Sequence, residues 1–126
     1  MAVIKARLNF LTLFTMPLDS PLTFDRIDNS ANGTSVFRLA GPLTIRNLFE
    51  IQAALRAEPM PKITVVDLTQ VPYMDSAGMG VIVNSYVHCR NRGAEFIAVG
   101  VSARVKTLFE LTRVDQLIPM RETFDA

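Results

Sequence analysis

The sequence predicts an α/β domain in which helices pack against a mixed, mostly parallel β-sheet. Three observations lead there. Ile63-Thr64-Val65-Val66-Asp67-Leu68 is a mostly apolar, β-branched run, the pattern of a strand covered on both faces. Segments with helical spacing flank that run on both sides. Two extended stretches near the start are joined by a turn cluster ending in Asn32-Gly33, the signature of a hairpin. At 126 residues the chain builds one core and no more.

The elements follow in order. Leu22 to Ile27 forms a first strand, Asp28 to Gly33 turns, and Thr34 to Leu39 returns, ending at Gly41-Pro42. Thr44 is placed to cap a helix running to about Ala57, with Leu48, Phe49, Gln52 and Leu55 on one side and Pro59 and Pro61 ending it. After the strand at 63–68 comes a loop and a second helix, in which Met79, Ile82, Val83, Tyr86 and Val87 recur at helical spacing. Gly93 is suited to terminate it. Phe96 to Val99 is a fourth strand. Ser102 caps a third helix with Val105, Leu108, Phe109 and Thr112 spaced to face inward, and a short strand near Leu117 to Met120 closes the pattern. Right-handed crossovers make the later strands parallel neighbours.

The domain is expected over residues 21–126, preceded by an extension at 1–20. That extension carries Lys5 and Arg7 ahead of Leu11, Leu13 and Phe14, a faint likeness to a signal peptide. The apolar stretch is short and interrupted, and no small-residue cleavage pattern follows, so it reads as an extension or as sequence ahead of a start at Met16.

Composition narrows the function classes. A net charge of +1 with scattered basic residues does not fit direct nucleic-acid binding. One cysteine, Cys89, excludes an internal disulfide framework and a multi-cysteine zinc site; no metal or cofactor is implied. It suits a reducing compartment, and a cytoplasmic protein without membrane association is expected, since no apolar run reaches the roughly 18 residues that span a bilayer. An exposed N-terminal edge strand leaves monomer or weak dimer open.

Ser76 is the residue of most interest. It lies at or near a helix N-terminus, at the tip of a loop, where free backbone amides and the helix dipole favour negative charge. Either it caps the helix or it is a site for phosphate. Catalysis is poorly supported. His88 is twelve residues beyond Ser76 on the same predicted helix, roughly 18 Å away at 1.5 Å per residue, too far to act as its base. Met74 stands where a nucleophile elbow needs glycine. The phosphate-binding glycine loops are absent or incomplete, and Asp67 and Asp75 read as structural caps rather than an acid–base pair. No catalytic residue is assigned and the chain is not expected to be an enzyme.

Val65-Val66-Asp67-Leu68 followed by Val71-Pro72-Tyr73-Met74-Asp75-Ser76-Ala77-Gly78-Met79-Gly80, then Gly93, resembles the STAS domain family, specifically the bacterial anti-sigma factor antagonists. The stretch Ser102 to Thr112 continues the likeness, which covers about Leu22 to Phe124. The resemblance implies that Ser76 is phosphorylated by a partner anti-sigma factor that is also a serine kinase. It further implies that phosphorylation ends binding, and that a phosphatase restores it. The candidate partner surface comprises Thr44, Arg46, Asn47, Asp75, Ser76, Ala77, Gly78 and Met79, with a solvated face as the alternative for Arg46 and Asn47 and a core position as the alternative for Met79. Two departures stand out. Ala77 replaces the family's usual hydroxyl residue, and Gly41-Pro42-Leu43-Thr44 replaces its common Gly-Glu-Leu-Asp. The alternative is a STAS scaffold or small-ligand-sensing module that is never phosphorylated.

Overall fold

The structure is a computed structural model that describes residues 21–124. Residues 1–20, and with them the extension and the Met16 start, lie outside the described residues. Five strands form one sheet in the order β1-β2-β3-β4-β5: Thr23–Asn29, Thr34–Ala40, Ile63–Gln70, Glu95–Val99 and Met120–Arg121. β1 and β2 are antiparallel, and every later neighbour is parallel. Three helices, α1 (Phe49–Leu55), α2 (Ser76–Asn91) and α3 (Ala103–Leu111), cover one face.

The core between helices and sheet follows the alternation of the strands. Phe37 and Leu39 of β2, Val66 and Leu68 of β3, and Phe96 and Ala98 of β4 point into it. Ile51 and Leu55, Val81, Ile82 and Cys89, and Val105 and Phe109 meet them from α1, α2 and α3. Tyr86 lies at the rim, edge-on to Phe96 with ring centroids 6.3 Å apart. Burial pushes the Cys89 thiol above its ordinary pKa, partly offset by a hydrogen bond with Thr64.

Helix termini obey capping chemistry where the sequence supplies it. Ser102 accepts from the amide of Val105 at the start of α3. Gly93 adopts φ +72° after α2, its amide reaching Arg90 O while Ala94 reaches Cys89 O, a Schellman ending. The loop between β1 and β2 has four residues, Ser30 to Gly33. Asn29 Oδ1 holds the amide of Ala31, Asn32 Oδ1 holds that of Thr34, and Gly33 sits at φ +69°.

Four expectations need correction. Thr44 caps no helix: α1 begins five residues later, after Leu48, which makes no side-chain cap. The segment from Thr44 to Asn47 is instead a turn, because Leu43 is already paired with the β3–α2 loop and cannot swing into a helix. With that later start Ile51 takes the core position, and Phe49 is 66% exposed. Thr112 is exposed, its hydroxyl donating to Leu108 O rather than packing inward. The last strand is Met120–Arg121, because Val114–Gln116 winds into a 3-10 turn that buries Val114 and Ile118 first. Beside these, His88 is half-buried and its Nε2 has no hydrogen-bond partner among the described residues.

Candidate functional site

The site is built where β2 and β3 end. Parallel neighbours deliver their following loops to the same edge, and here the two loops are stitched together. Leu43 pairs with Met74 as an isolated parallel bridge, its amide donating to Tyr73 O at 3.0 Å and its carbonyl accepting from Asp75 N at 3.3 Å. Asp75 is the residue that organises the junction. Its Oδ1 accepts from the amide of Gly78 at 2.8 Å, capping α2. Its Oδ2 accepts from the amide of Ile45 at 3.1 Å, thirty positions earlier in the chain. One carboxylate therefore satisfies donors in both loops.

Gly78 is required by this closeness. A Cβ there would stand 2.1 Å from the carbonyl oxygen of Leu43, a backbone atom with no freedom to move aside. The β2–α1 loop is tied locally as well. Asn47 Oδ1 accepts from the amide of Thr44 at 2.8 Å, and Thr44 O accepts from the amide of Asn47 at 3.1 Å. Thr44 is thereby buried and Arg46 is left exposed.

Ser76 is the first residue of α2 and is exposed. It is not the cap, since Asp75 fills that role. The amides of Ser76 and Ala77, at the first two helical positions, have no intrahelical acceptor, so they and the helix dipole point toward the space around the Ser76 hydroxyl. Ala77 and Met79 are half-buried and pack against the core. Met79 Sδ lies 3.3 Å from the Thr112 hydroxyl, which joins α2 to the end of α3.

The structure thus brings Thr44, Asn47, Asp75, Ser76, Ala77, Gly78 and Met79 to one junction, with Arg46 exposed on its turn. Sequence reasoning missed Ile45 and Phe49, which are 56% and 66% exposed and flank that turn. Their apolar character was visible, but helical spacing alone assigned Phe49 to the core. Also unanticipated is Arg104, whose guanidinium lies 4.7 Å from the centroid of the Tyr73 ring and supports the β3–α2 loop from α3.

Asp67 and Asp75 do not form a pair; Asp67 Oδ1 accepts from the amide and hydroxyl of Thr69. Among the described residues, no group of three His, Cys, Asp or Glu side chains is placed to hold a metal, and no helix is long and apolar enough to cross a membrane.

The family model for the STAS domain matches residues 25–126. The chain is a member of the STAS domain family. An anti-sigma-B factor antagonist from Listeria monocytogenes is 41% identical over 56 residues, 44% of this chain and 49% of that protein, so the chain spans about half the length of this curated relative. One from Staphylococcus aureus is 33% identical over 79 residues, covering 63% of this chain and 72% of that protein. Among solved structures, an anti-sigma factor antagonist from Mycobacterium paratuberculosis superposes with a TM-score of 0.74 at 24% identity, covering 85% of this chain and 90% of that one. A sulfate transporter family protein from Wolinella succinogenes shares the fold with a TM-score of 0.59 at 21% identity, over 73% of this chain and 75% of that one.

Proposed function

We propose that this STAS domain is an anti-sigma factor antagonist. It binds an anti-sigma factor through the junction of the β2–α1 loop with the start of α2, and phosphorylation of Ser76 by that partner's serine kinase activity switches it off. A phosphatase resets it. The observation that carries this reading is the division of labour at the start of α2. Asp75 holds the helix cap and the neighbouring loop, which leaves the Ser76 hydroxyl exposed with no structural task.

Physics supports a switch that spares the fold. A phosphoryl group adds about −1.5 to −2 charges. At a helix N-terminus that charge is tolerated or favoured, by about 0.3–1 kcal/mol. Against an apposed protein the same group introduces bulk, a desolvation cost and repulsion with any acidic surface. The half-exposed apolar side chains of Ile45 and Phe49 beside the turn supply contact area that does not depend on the carboxylates missing from Gly41-Pro42-Leu43-Thr44.

The second reading, a STAS scaffold that is never phosphorylated, is favoured by one feature, Ala77 in place of the neighbouring hydroxyl. Intact-mass analysis with peptide mapping of protein from its native cells separates the two. A phosphate on Ser76 is expected, together with capture of a kinase-fold partner by the unmodified form and loss of that capture in Ser76→Asp. Capture that is unchanged in Ser76→Asp overturns the switch.

A further inference from the structure

Two glycines stand two residues apart on α2 and face opposite ways. Successive helical positions turn by about 100°, so positions 78 and 80 lie about 200° apart around the helix axis. Gly78 is buried and has a visible reason, the Leu43 carbonyl oxygen that a Cβ would strike. Gly80 has no such reason. It is partly exposed, its backbone lies outside the left-handed region, and a Cβ added there meets nothing within 4 Å among the described residues. It is the fifth residue of a 16-residue helix, inside the hydrogen-bonded ladder, where only proline is less favourable than glycine. Packing among the described residues gives nothing back for that loss.

The neighbour that explains Gly80 is Ser76. It lies one helical turn earlier on the same outward face, where positions four apart are about 5–6 Å from one another. The Cα–Cβ bonds of a helix tilt toward its N-terminus, so each side chain covers the turn before its own Cα. A side chain at position 80 would therefore lean back over the exposed Ser76. Asn84 and Val87 continue the face and are also exposed, so the outward side of α2 stays open beyond that first turn.

We propose that Gly80 is the clearance residue of the Ser76 junction: the missing side chain leaves room for the anti-sigma factor to settle on the first turns of α2 and reach the Ser76 hydroxyl. This rests on the functional reading above and deepens it. In the transfer, the Ser76 oxygen bonds to the γ-phosphorus of a nucleoside triphosphate while the bond to the bridging oxygen breaks. The diphosphate leaves, and the hydroxyl proton passes to a base of the kinase. Reacting atoms must first be held about 3–3.5 Å apart. A kinase seated that closely on Ser76 also covers the position one turn further on, which is Gly80. Helix stability and access to the serine then respond to a side chain at position 80 with opposite signs.

The test uses Gly80→Ala and Gly80→Leu in the full chain, both introducing strong helix formers. The melting temperature of Gly80→Ala is expected to rise by about 2–5 °C. Binding is titrated against the anti-sigma factor purified from native cells on the unmodified wild-type chain, and phosphorylation of Ser76 is followed with the same factor and ATP. Affinity is expected to fall about tenfold in Gly80→Ala, the effect of one overpacked methyl group, and further in Gly80→Leu, with phosphorylation falling in step. Asn91→Ala, exposed at the far end of α2, is expected to match the wild type in both. A lower melting temperature in Gly80→Ala would show an internal need for glycine and overturn the proposal. Unchanged binding and phosphorylation in Gly80→Leu, with the wild type active, overturns it and leaves the functional reading standing. A wild-type chain that binds no anti-sigma factor, or is not phosphorylated by the one it binds, removes that reading and this inference together.

Discussion

The two ends of the sheet are held by different kinds of hydrogen bond. At the end where β1 turns into β2, the side-chain bonds stay within a few residues, Asn29 to Ala31, Asn32 to Thr34 and Arg26 to Asp28, and the long-range tie is a backbone one, the Gly33 carbonyl accepting from the amides of Lys62 and Ile63. At the end that carries Ser76, the deciding contact joins Asp75 to Ile45 across thirty positions, and Leu43 pairs with Met74 beside it. A side-chain contact of the first kind can be altered with the rest of the turn still held by its backbone bonds. A junction of the second kind couples two loops, so a change in one is felt in the other. The functional surface sits on the coupled end.

A matched pair of glycine substitutions tests this contrast most severely. Gly78→Ala drives a Cβ into the Leu43 carbonyl, and is expected to destabilise the domain by about 3 kcal/mol, the upper part of the usual overpacking range. Gly33→Ala meets only the flexible Lys62 side chain, at 3.0 Å. Its cost is the left-handed backbone, about 1 kcal/mol. Chemical denaturation of both proteins reads the difference. Equal losses would mean that the junction yields as easily as the hairpin.

Asp75→Ala comes next. It removes the α2 cap and leaves the amide of Ile45 without its acceptor, so a loss of about 1–2 kcal/mol is expected. Because the same carboxylate holds the β2–α1 loop, partner capture should fall even at temperatures where the variant is fully folded. Asn32→Ala, its counterpart at the hairpin, should cost stability and leave capture intact. Capture measured on both variants at matched folded fraction decides whether the coupling serves binding.

The same distinction explains what the sequence revealed. The β-branched apolar run of β3, the turn residues Asn32-Gly33, the caps Ser102 and Asp75, and the stop at Gly93 are local rules, and the elements they mark are present. The placement of Ser76 at the start of α2 followed from the switch in period between residues 68 and 79. What failed depended on distant partners. Thr44 looked like a cap because nothing local shows that Leu43 is held by Tyr73 and Met74. Phe49 looked buried because a later helix start rotates it outward. The 3-10 turn at Val114–Gln116 displaced the last strand for the same reason, since Ile118 is drawn into a core built by earlier elements.

A smaller effect belongs to the hairpin end. The Ser35 hydroxyl, and after it Arg26, hold the Asp28 carboxyl below the ordinary carboxylate range. A pKa lowered by folding contributes stability that is complete above the unfolded value and lost as pH falls through the folded one. Asp28→Asn should therefore lose stability at neutral pH, by a small amount because Asp28 is exposed and its ion pair screened, and should match the wild type once the pH falls below the folded pKa. Acid titration of thermal stability, run on wild type and variant, shows this as a small difference at neutral pH that closes as the pH falls. The Ser76 junction should be unaffected, because none of its contacts involve this group.

The smallest expected effect is the most informative about Ser76 itself. If Asp75 performs the capping, Ser76→Ala should change stability by no more than about 0.5 kcal/mol, as for an exposed surface substitution. A serine that acted as the cap would cost about 1 kcal/mol on removal. The two outcomes are resolvable by denaturation midpoints measured side by side. A near-zero result leaves the hydroxyl with chemistry as its reason for being at that position. A loss of the larger size would return Ser76 to a structural role and remove the observation on which the phosphorylation switch rests, whatever the partner binding of the variant turned out to be.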